Sequence, residues 1–324
     1  MGFARYVGAR FLWAVIVSFI IVTITFLLLA FAPNPNISEA ATQAALQGGN
    51  PAEAMERERE LRGLDQPLHV RYMDFLEGVY TLDWGWSDHR SQPVTKALQE
   101  SIYYTAQYSI PWTLLTLIIG PLVGIYSAAN MYSWKDHVAT GFAFFGWAIP
   151  NFFFGIVLLV IFGVWLEWVP IQYSTDVPVF SLANAHQLLL PVFVLVTGSI
   201  GAVMRVSRNE SAEFQNADFM KTAKAKGVSP LRAYAYHVMR PTMVPLSTTV
   251  VSQLLAIFLG SSLLVEIVFG IPGLGRMTFR ALIAQDTSLV LGATLLFTFI
   301  AVVGNLIEDI VFTLLDPRIS YDDR

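Results

Sequence analysis

The residue types that usually carry out catalysis or bind metals do not form a known motif in this 324-residue chain. There is no cysteine, which excludes disulfides, thiolate nucleophiles and thiolate metal sites. The sequence lacks the G-x-x-x-x-G-K-[ST] loop that holds ATP phosphates and the H-E-x-x-H zinc helix, while Gly273 and Gly275 indicate only a turn. The histidines all fall in predicted loops or at the ends of apolar runs: His69, His89, His137, His186 and His237. We therefore expect a non-catalytic chain that binds no cofactor and no metal.

Charge-dependent docking is indicated instead, by a basic segment that lies between two apolar runs. Residues 216–241 have the sequence NADFMKTAKAKGVSPLRAYAYHVMRP. Asn216 is a typical helix N-cap, and Gly227 fits the left-handed position that follows a helix. Ser229 and Pro230 then provide a second cap and a first helical residue. The pattern predicts two short helices that meet at Gly227.

The first of these helices has an apolar stripe beside a basic face. Phe219, Ala223 and Lys226 fall near one stripe, whereas Lys221 and Lys224 point elsewhere. Such a helix could rest on anionic lipid headgroups or dock into a cleft of a partner protein. Two consecutive caps and a glycine hinge specify one rigid shape, which favours docking.

The apolar runs contain neutral polar residues but almost no charge. Asn151, Ser252 and Gln253 are candidates for lining a water-filled path, although such residues could instead hydrogen-bond neighbouring helices. Only Glu308 and Asp309 approach membrane depth, near the predicted cytoplasmic end of the last run. Ion-coupled carriers usually keep charged groups near mid-membrane, so this pattern argues against such a carrier.

The elements that position these residues are predicted to be membrane helices. With 55% hydrophobic and 14% charged residues, the composition is that of a membrane protein. A spanning helix needs roughly 20 mainly apolar residues, and the uncharged runs predict an all-α protein with six transmembrane helices. These runs are Phe11–Phe31, Tyr103–Ala129, Val138–Leu166, Leu188–Met204, Pro241–Val265 and Thr287–Ile307. The prolines expected to kink them are Pro111, Pro121, Pro150 and Pro191.

Lysine and arginine in the short loops predict the orientation. They are in excess on the side of the N-terminus, which places both termini in the cytoplasm. The net charge of −4 gives no indication of nucleic-acid binding. The predicted parts are a tail with the first helix (1–31), a helical extracytoplasmic insertion (32–102), a five-helix core (103–315) that includes a cytoplasmic two-helix coupling loop (208–240), and a cytoplasmic C-terminal tail (316–324).

Several stretches resemble ABC importer permeases of the dipeptide, oligopeptide and nickel transport family. The stretch DFMKTAKAKGVSPLRAYAYHVMRP resembles the cytoplasmic coupling loop of that family, the EAA loop. The stretches VEIVFGIPGLGRM (265–277) and LLDPRIS (314–320) resemble the family motifs V-E-x-V-F-x-x-P-G-L-G and L-D-P-R-I. Phe219, Met220 and Met239 depart from the residues that are usual at their positions, as does Pro241. The resemblance extends over nearly the whole chain.

The resemblance implies a permease subunit of an ATP-driven importer in the inner membrane, forming half of the translocation pathway for peptides. The implied partners are a second homologous permease, two ATPase subunits that bind ATP and Mg²⁺, an extracytoplasmic substrate-binding protein, and the surrounding membrane lipids. The residues that it assigns to ATPase coupling are Asp218, Phe219, Thr222, Ala223, Lys224, Ala225, Lys226, Gly227, Ser229, Pro230, His237 and Arg240.

Two other functions are weighed against this one. One is a stand-alone secondary carrier or channel, and the other is a membrane scaffold that docks a cytoplasmic partner without transport. The cargo compatible with the resemblance is a dipeptide, a longer peptide, a nickel complex or a sugar.

Overall fold

A computed structural model describes residues 3–31, 34–215, 217–239, 242, 246 and 263–315, and these residues are mainly helical. The helices are α1 (Phe3–Phe31), α2 (Pro35–Leu46), α3 (Pro51–Leu61), α4 (Leu68–Thr81), α5 (Val94–Ala129), α6 (Trp134–Ala148), α7 (Asn151–Leu158), α8 (Leu182–Phe214), α9 (Asp218–Ala225), α10 (Pro230–Ala233), α11 (Leu263–Phe269), α12 (Leu274–Ile283) and α13 (Thr287–Leu315). Helices α7 and α10 continue as π-helical turns over Leu159–Trp165 and Tyr234–Val238. The strands β1 (Trp86–Ser87) and β2 (Gln92–Pro93) form an antiparallel hairpin.

The long apolar helices account for most of the predicted membrane spans. Within the described residues, four helices are long and apolar enough to cross a membrane, or five if α6 and α7 together form one span. The four are α1, α5, α8 and α13, which correspond to the first, second, fourth and sixth predicted runs. The fifth predicted run, Pro241–Val265, lies almost entirely outside the described residues.

The third predicted run is divided into two helices at Pro150, one of the prolines expected to kink a helix. Helices α6 and α7 are bent by 99° relative to each other. Ile149 is extended, with φ −89° and ψ 130°, directly before Pro150. Proline disfavours the helical conformation of the residue that precedes it, which explains the break at this point. In contrast, α5 continues through Pro111 and Pro121, and α8 continues through Pro191.

One compact unit contains Met1–Arg10, Ser101–Arg276 and Val303–Arg324. Its apolar core includes Tyr108 from α5 and Leu195 from α8, both almost fully buried. The packing of α8 against its neighbours is close. A Cβ atom added to Gly124 of α5 would lie 2.6 Å from the Met204 carbonyl oxygen on α8. A Cβ on Gly146 of α6 would collide with the backbone of α8 at Thr197. Helix α8 therefore contacts both α5 and α6 through backbone surfaces.

The second compact unit contains Phe11–Glu100 and Met277–Val302. Val22, Val79 and Leu295 form its buried apolar cluster. Asp286 links the hairpin to α13, because its carboxylate accepts hydrogen bonds from the Ser87 hydroxyl at 2.6 Å and the Leu289 N–H at 3.0 Å. Helices α2 and α3 bury none of their residues, so they lie on the surface of this unit.

Candidate functional site

The basic segment folds as two short helices joined at a left-handed glycine. Asp218 begins α9, and its carboxylate lies 2.8 Å from the Lys221 ammonium. Gly227 has φ +74°, and the Val228 N–H donates a hydrogen bond of 3.2 Å to the Ala223 carbonyl oxygen. This pattern closes the C-terminal end of α9, as in a Schellman motif. Helix α10 starts three residues later at Pro230. Residues 217–239 are called the coupling segment below.

A small apolar cluster fixes one side of the coupling segment. Met220 of α9 is fully buried, as are Ala233 of α10 and Val238 of its π-helical continuation. Phe214, the last residue of α8, packs against them together with Val228. Because this cluster joins both short helices to the end of α8, the coupling segment is attached to a long helix of the core.

The observed position of Phe219 differs from the predicted apolar stripe. The sequence pattern predicts that Phe219 lies with Ala223 and Lys226 on one apolar face, but Phe219 is 45% exposed and Lys226 is exposed as well. Met220 takes the buried position beside Ala223, because residues three apart on a helix share a face. Phe219 is turned about 100° away from Met220, which leaves its ring accessible.

The exposed side of the coupling segment carries aromatic rings and cations. Tyr236 is 67% exposed, and the Arg232 guanidinium carbon lies 6.0 Å from the centroid of its ring. Lys221 and Lys226 are also exposed. Aromatic residues and arginine are enriched in the centres of protein interfaces. Together with the exposed Phe219, this surface has the composition of a protein-docking site.

The other predicted coupling residues lie on the same segment. The Thr222 hydroxyl donates a hydrogen bond of 2.9 Å to the Asp218 carbonyl oxygen, so it is used within α9. Ala225, Gly227 and Ser229 are exposed. Outside the described part of the chain lie the side chains of Lys224, Pro230 and His237, and the whole of Arg240.

The residues predicted to line a path are not brought together by the described part of the chain. Asn151 is the first residue of α7, and its side-chain oxygen occupies the space that a Cβ on Gly198 of α8 would need. The geometry shows a close helix contact at Asn151. Ser252 and Gln253 lie outside the described residues.

A buried ion pair holds α8 where it approaches the coupling segment. Asp136, in the first turn of α6, is only 2% exposed. Arg208 of α8 donates to both of its carboxylate oxygens, from Nε at 3.0 Å and from Nη2 at 2.8 Å. Ser127, near the end of α5, donates to the same carboxylate. Three helices therefore meet at one side chain, and Asp136, Arg208 and Ser127 are called the inner cluster.

The geometry of the inner cluster suits a charged pair. Two guanidinium nitrogens of Arg208 face the two carboxylate oxygens of Asp136, so the pair is bidentate.

A second buried carboxylate braces the N-terminal half of α5. Glu266 of α11 has no exposed surface. Its Oε1 accepts hydrogen bonds from the Tyr108 hydroxyl at 2.8 Å and the Thr105 hydroxyl at 3.0 Å. Its Oε2 accepts from the Arg276 backbone N–H at 2.7 Å. These donors are all neutral, and Glu266, Thr105 and Tyr108 are called the outer cluster.

Two glycines make room for the Glu266 carboxylate because they have no side chain. A Cβ on Gly273 would collide with Glu266 Oε1 and would lie 2.6 Å from Thr105 Oγ1. A Cβ on Gly275 would lie 2.9 Å from the Leu263 Cα atom and 3.2 Å from Glu266 Oε2. The turn that the sequence indicates at these glycines therefore wraps around a buried acid. The sequence pattern assigns no role to Glu266, although a glutamate at the end of an apolar run and directly before these glycines is a signal of one.

Within the described ranges, no group of three or more His, Asp or Glu residues could hold a metal ion. The arrangement offers instead an exposed segment with aromatic and cationic side chains. This segment is attached to the end of α8, which the inner cluster joins to α5.

Comparisons with known proteins place the chain among transport membrane components. A sequence model of the binding-protein-dependent transport system inner membrane component family matches residues 120–321, and the N-terminal model of such membrane components matches residues 3–110. A putative peptide transport system permease protein of Brucella abortus is 32% identical over 309 residues, which cover 95% of this chain and 96% of that protein. The oligopeptide transport system permease protein AppB of Bacillus subtilis is 30% identical over 98% of this chain and its own full length. The dipeptide transport system permease protein DppB of Bacillus subtilis is 29% identical over 98% of both chains.

Proposed function

The chain belongs to the family of binding-protein-dependent transport system inner membrane components, and on that premise we propose that it is the permease subunit of an ATP-driven peptide importer. In this function it forms half of the translocation pathway. A second homologous permease completes the pathway, two ATPase subunits bind ATP and Mg²⁺, and an extracytoplasmic binding protein delivers the peptide. The similarity to relatives named as peptide, oligopeptide and dipeptide permeases supports peptide cargo.

The exposed surface of the coupling segment is the observation that carries this proposal. Phe219 and Tyr236 present aromatic rings, and Arg232 adds a guanidinium above one of them. Met220 and Ala233 fix the other side of the segment against Phe214. A surface that is both exposed and rigidly attached suits the docking of an ATPase subunit, because a loosely held segment would move without moving the core.

Helix α8 provides a physical connection from the docking surface into the core. It runs without interruption from Leu182 to Phe214, directly before the coupling segment. Near its C-terminal end, Arg208 is joined to Asp136 of α6 in the inner cluster. The Ser211 hydroxyl also lies 3.3 Å from the Thr242 hydroxyl, just inside the fifth predicted run. Displacement of the coupling segment is therefore expected to move α5, α6 and α8 together.

The charged groups nearest to the apolar helices have a structural explanation, which disfavours the ion-coupled carrier. Asp309 of α13 forms an ion pair of 3.2 Å with Arg10 of α1. The pair joins the N-terminal part of α1 to the C-terminal part of α13, so these two ends lie on the same side of the protein. This supports the part of the proposed orientation that places both termini on the same side of the membrane.

Reconstitution with the partner subunits tests the proposal. We expect the chain to co-purify with two ATPase subunits and a second permease, and the assembly to take up peptides into liposomes only with ATP and the binding protein. Phe219→Ala should reduce ATPase capture and uptake several-fold, because it removes an exposed anchor without disturbing the buried cluster. Phe145→Ala is the matched control, since Phe145 of α6 is 59% exposed but lies outside the coupling segment.

The rival functions predict different results in the same experiment. Gradient-driven flux by the isolated chain would establish a carrier or channel. Stable ATPase binding without any ATP-dependent uptake would establish a scaffold. Equal ATPase capture by the Phe219→Ala and Phe145→Ala variants would show that docking does not use the exposed face of the coupling segment.

A further inference from the structure

A cavity of about 300 Å³ lies within the second compact unit, beside the C-terminal end of α1. Its apolar wall includes Leu29 and Ala30, from the last two turns of α1, and Phe75 of α4. Helix α4 is fixed against α1, because the Thr23 and Tyr72 hydroxyls lie 2.6 Å apart. Since α1 is long and apolar enough to span a membrane, a cavity at its end lies at the level of the lipid headgroups.

Arg71 of α4 brings an uncompensated positive charge to the wall of this cavity. It is half-buried, whereas the other lysines and arginines that the structure describes in the second unit are all exposed. Arg71 forms no ion pair and no hydrogen bond with any described residue. Arg62, the other cation of the cavity, is already paired with Glu58 at 2.5 Å. Partial burial of a cation without a counter-ion is unfavourable, so we expect the cavity to receive an anionic group.

Two further polar groups of the cavity suit a ligand that carries both signs of charge. Asp74 lies one helical turn after Arg71 and lines the same cavity, yet the two side chains do not form an ion pair in the described structure. Asn34 also lines the cavity, and its Oδ1 accepts a hydrogen bond of 3.0 Å from the Asn36 N–H. This bond leaves the Asn34 amide nitrogen as a donor. The cavity therefore offers a guanidinium and an amide to an anion, and a separate carboxylate to a cation.

We propose that this cavity binds the headgroup of a zwitterionic phospholipid, with the phosphate at Arg71, the ammonium group at Asp74 and an acyl chain along α1. The inference requires only that α1 spans the membrane, and it does not depend on the importer function. The cavity volume is at the lower limit of the range of about 300–1,000 Å³ that is typical of small-ligand sites, which suits a headgroup rather than a whole lipid. Phosphatidylethanolamine has both charged groups, and its ammonium group can donate hydrogen bonds to a carboxylate.

The surroundings of the cavity favour a lipid over a soluble ligand. Leu28 and Phe31, next to the cavity wall on α1, are 69% and 78% exposed, so an acyl chain that leaves the cavity contacts apolar side chains. A free phosphate ion would leave the apolar wall uncovered. The phosphate and the ammonium group of phosphatidylethanolamine are joined by only two carbon atoms, which suits two side chains about 5–6 Å apart on one helix face. The charged ends of a tripeptide are farther apart than that.

Native mass spectrometry of the full-length chain tests the site. The chain is delipidated in detergent and titrated with dioleoyl-phosphatidylethanolamine, and we expect one lipid to be retained more tightly than the rest. Arg71→Gln should weaken its binding by about tenfold, the effect of one hydrogen bond to a charged group. Arg57→Gln is the matched control, because Arg57 of α3 is exposed and does not line the cavity. Equal lipid affinities of the two variants would overturn the proposal, as would a wild-type chain that retains no lipid.

A second pair of variants tests the assignment of the ammonium group to Asp74. The wild-type chain should bind phosphatidylethanolamine several-fold more tightly than phosphatidylglycerol, which has a phosphate but no ammonium group. Asp74→Asn should abolish this preference, whereas Asp65→Asn should keep it, because Asp65 is exposed and lies outside the cavity wall. Equal binding of the two lipids by the wild-type chain would show that the headgroup is not recognised as a zwitterion.

Thermal unfolding and competition identify the source of the bound anion. Phosphatidylethanolamine should raise the melting temperature of the wild-type chain and of Arg57→Gln but not that of Arg71→Gln, since a ligand stabilises only the state that binds it. Ala30→Leu fills part of the apolar wall without removing a charge and should also weaken lipid binding. Complete displacement of the lipid by inorganic phosphate would show a site for a free anion, and displacement by trialanine would show a peptide site. Either result would overturn the proposal.

Discussion

The inner and outer clusters brace the same helix, α5, by different chemistry. In the inner cluster, the Asp136 carboxylate is held by a bidentate guanidinium, two hydroxyls and the Tyr132 N–H. In the outer cluster, the Glu266 carboxylate is held by two hydroxyls and two backbone N–H groups, with no cation among its donors. Both acids are almost completely buried, so both must be fully hydrogen-bonded to be tolerated.

The difference between the two clusters indicates which kind of substitution should destabilise each of them most. The inner cluster depends on charge, because removal of Arg208 would leave a buried carboxylate without its counter-ion. The outer cluster depends on shape, because its backbone donors reach Glu266 only where Gly273 and Gly275 lack side chains. The ion pair of the inner cluster suits a position near the coupling segment, where we expect the motion of an ATPase subunit to be transmitted to the core. The neutral donors and the glycine turn of the outer cluster suit a region whose helices must rearrange during transport.

The largest effect is expected from Arg208→Met. The substitution keeps an aliphatic side chain but leaves Asp136 unpaired, which costs about 3–5 kcal/mol for a buried ion pair. We expect a large loss of thermal stability in detergent and loss of ATP-driven uptake.

Arg205→Met provides the control for this prediction. Arg205 lies three residues earlier on α8 and is exposed, so its loss should change stability by less than about 0.5 kcal/mol. Equal melting temperatures for the two variants would show that the inner cluster contributes nothing to the fold.

A smaller effect is expected when the shape of the outer cluster is changed by Gly273→Ala. The added methyl group would collide with Glu266 Oε1, and overpacking of this kind costs about 1–3 kcal/mol. Gly141→Ala of α6 is the control, because nothing lies within 4 Å of its added Cβ. Thermal unfolding in detergent should show destabilisation at position 273 only. If alanine is tolerated equally at both positions, the glycine turn does not hold Glu266 in the way described.

Glu266→Gln should cost less, about 0.5–1.5 kcal/mol. The amide keeps the shape of the carboxylate, and its nitrogen can turn toward the hydroxyls of Tyr108 and Thr105, which can accept as well as donate. Its oxygen can still accept from the Arg276 N–H. Glu266→Leu removes both acceptors at similar volume and should be clearly worse in the same unfolding measurement. A glutamine variant as unstable as the leucine variant would mean that the negative charge itself is required.

The sequence predicted the features that depend on neighbouring residues and missed those that depend on distant ones. The caps predicted the hinge at Gly227, because a left-handed residue is a local requirement. The exposure of Phe219 was not predicted, because the choice between Phe219 and Met220 depends on where α8 ends. The role of Glu266 was missed because its partners, Thr105 and Tyr108, lie more than 150 residues earlier in the chain.

The break at Pro150 shows the same limit of sequence-based prediction, here within one predicted membrane span. Of the four prolines expected to kink helices, Pro150 separates α6 from α7, whereas α5 and α8 remain helical through theirs. The sequence of an apolar run does not show whether neighbouring helices can replace the hydrogen bonds that a proline removes. At Pro121 of α5, for example, Ser207 of α8 donates a hydrogen bond of 3.0 Å to the Pro121 carbonyl, so α8 contacts α5 at this proline.

The smallest change in stability is expected at the hinge of the coupling segment, although its functional effect should be specific. Gly227 and Gly48 both have φ near +75°, and nothing lies within 4 Å of an added Cβ at either position. Substitution by alanine should therefore cost about 1 kcal/mol in each case, from backbone strain alone. Only Gly227→Ala alters the angle between α9 and α10, so only that variant should lower the amount of peptide transported per ATP hydrolysed. If both variants, or neither, lower the amount of peptide transported per ATP hydrolysed, the hinge at Gly227 does not transmit motion from the coupling segment to the core.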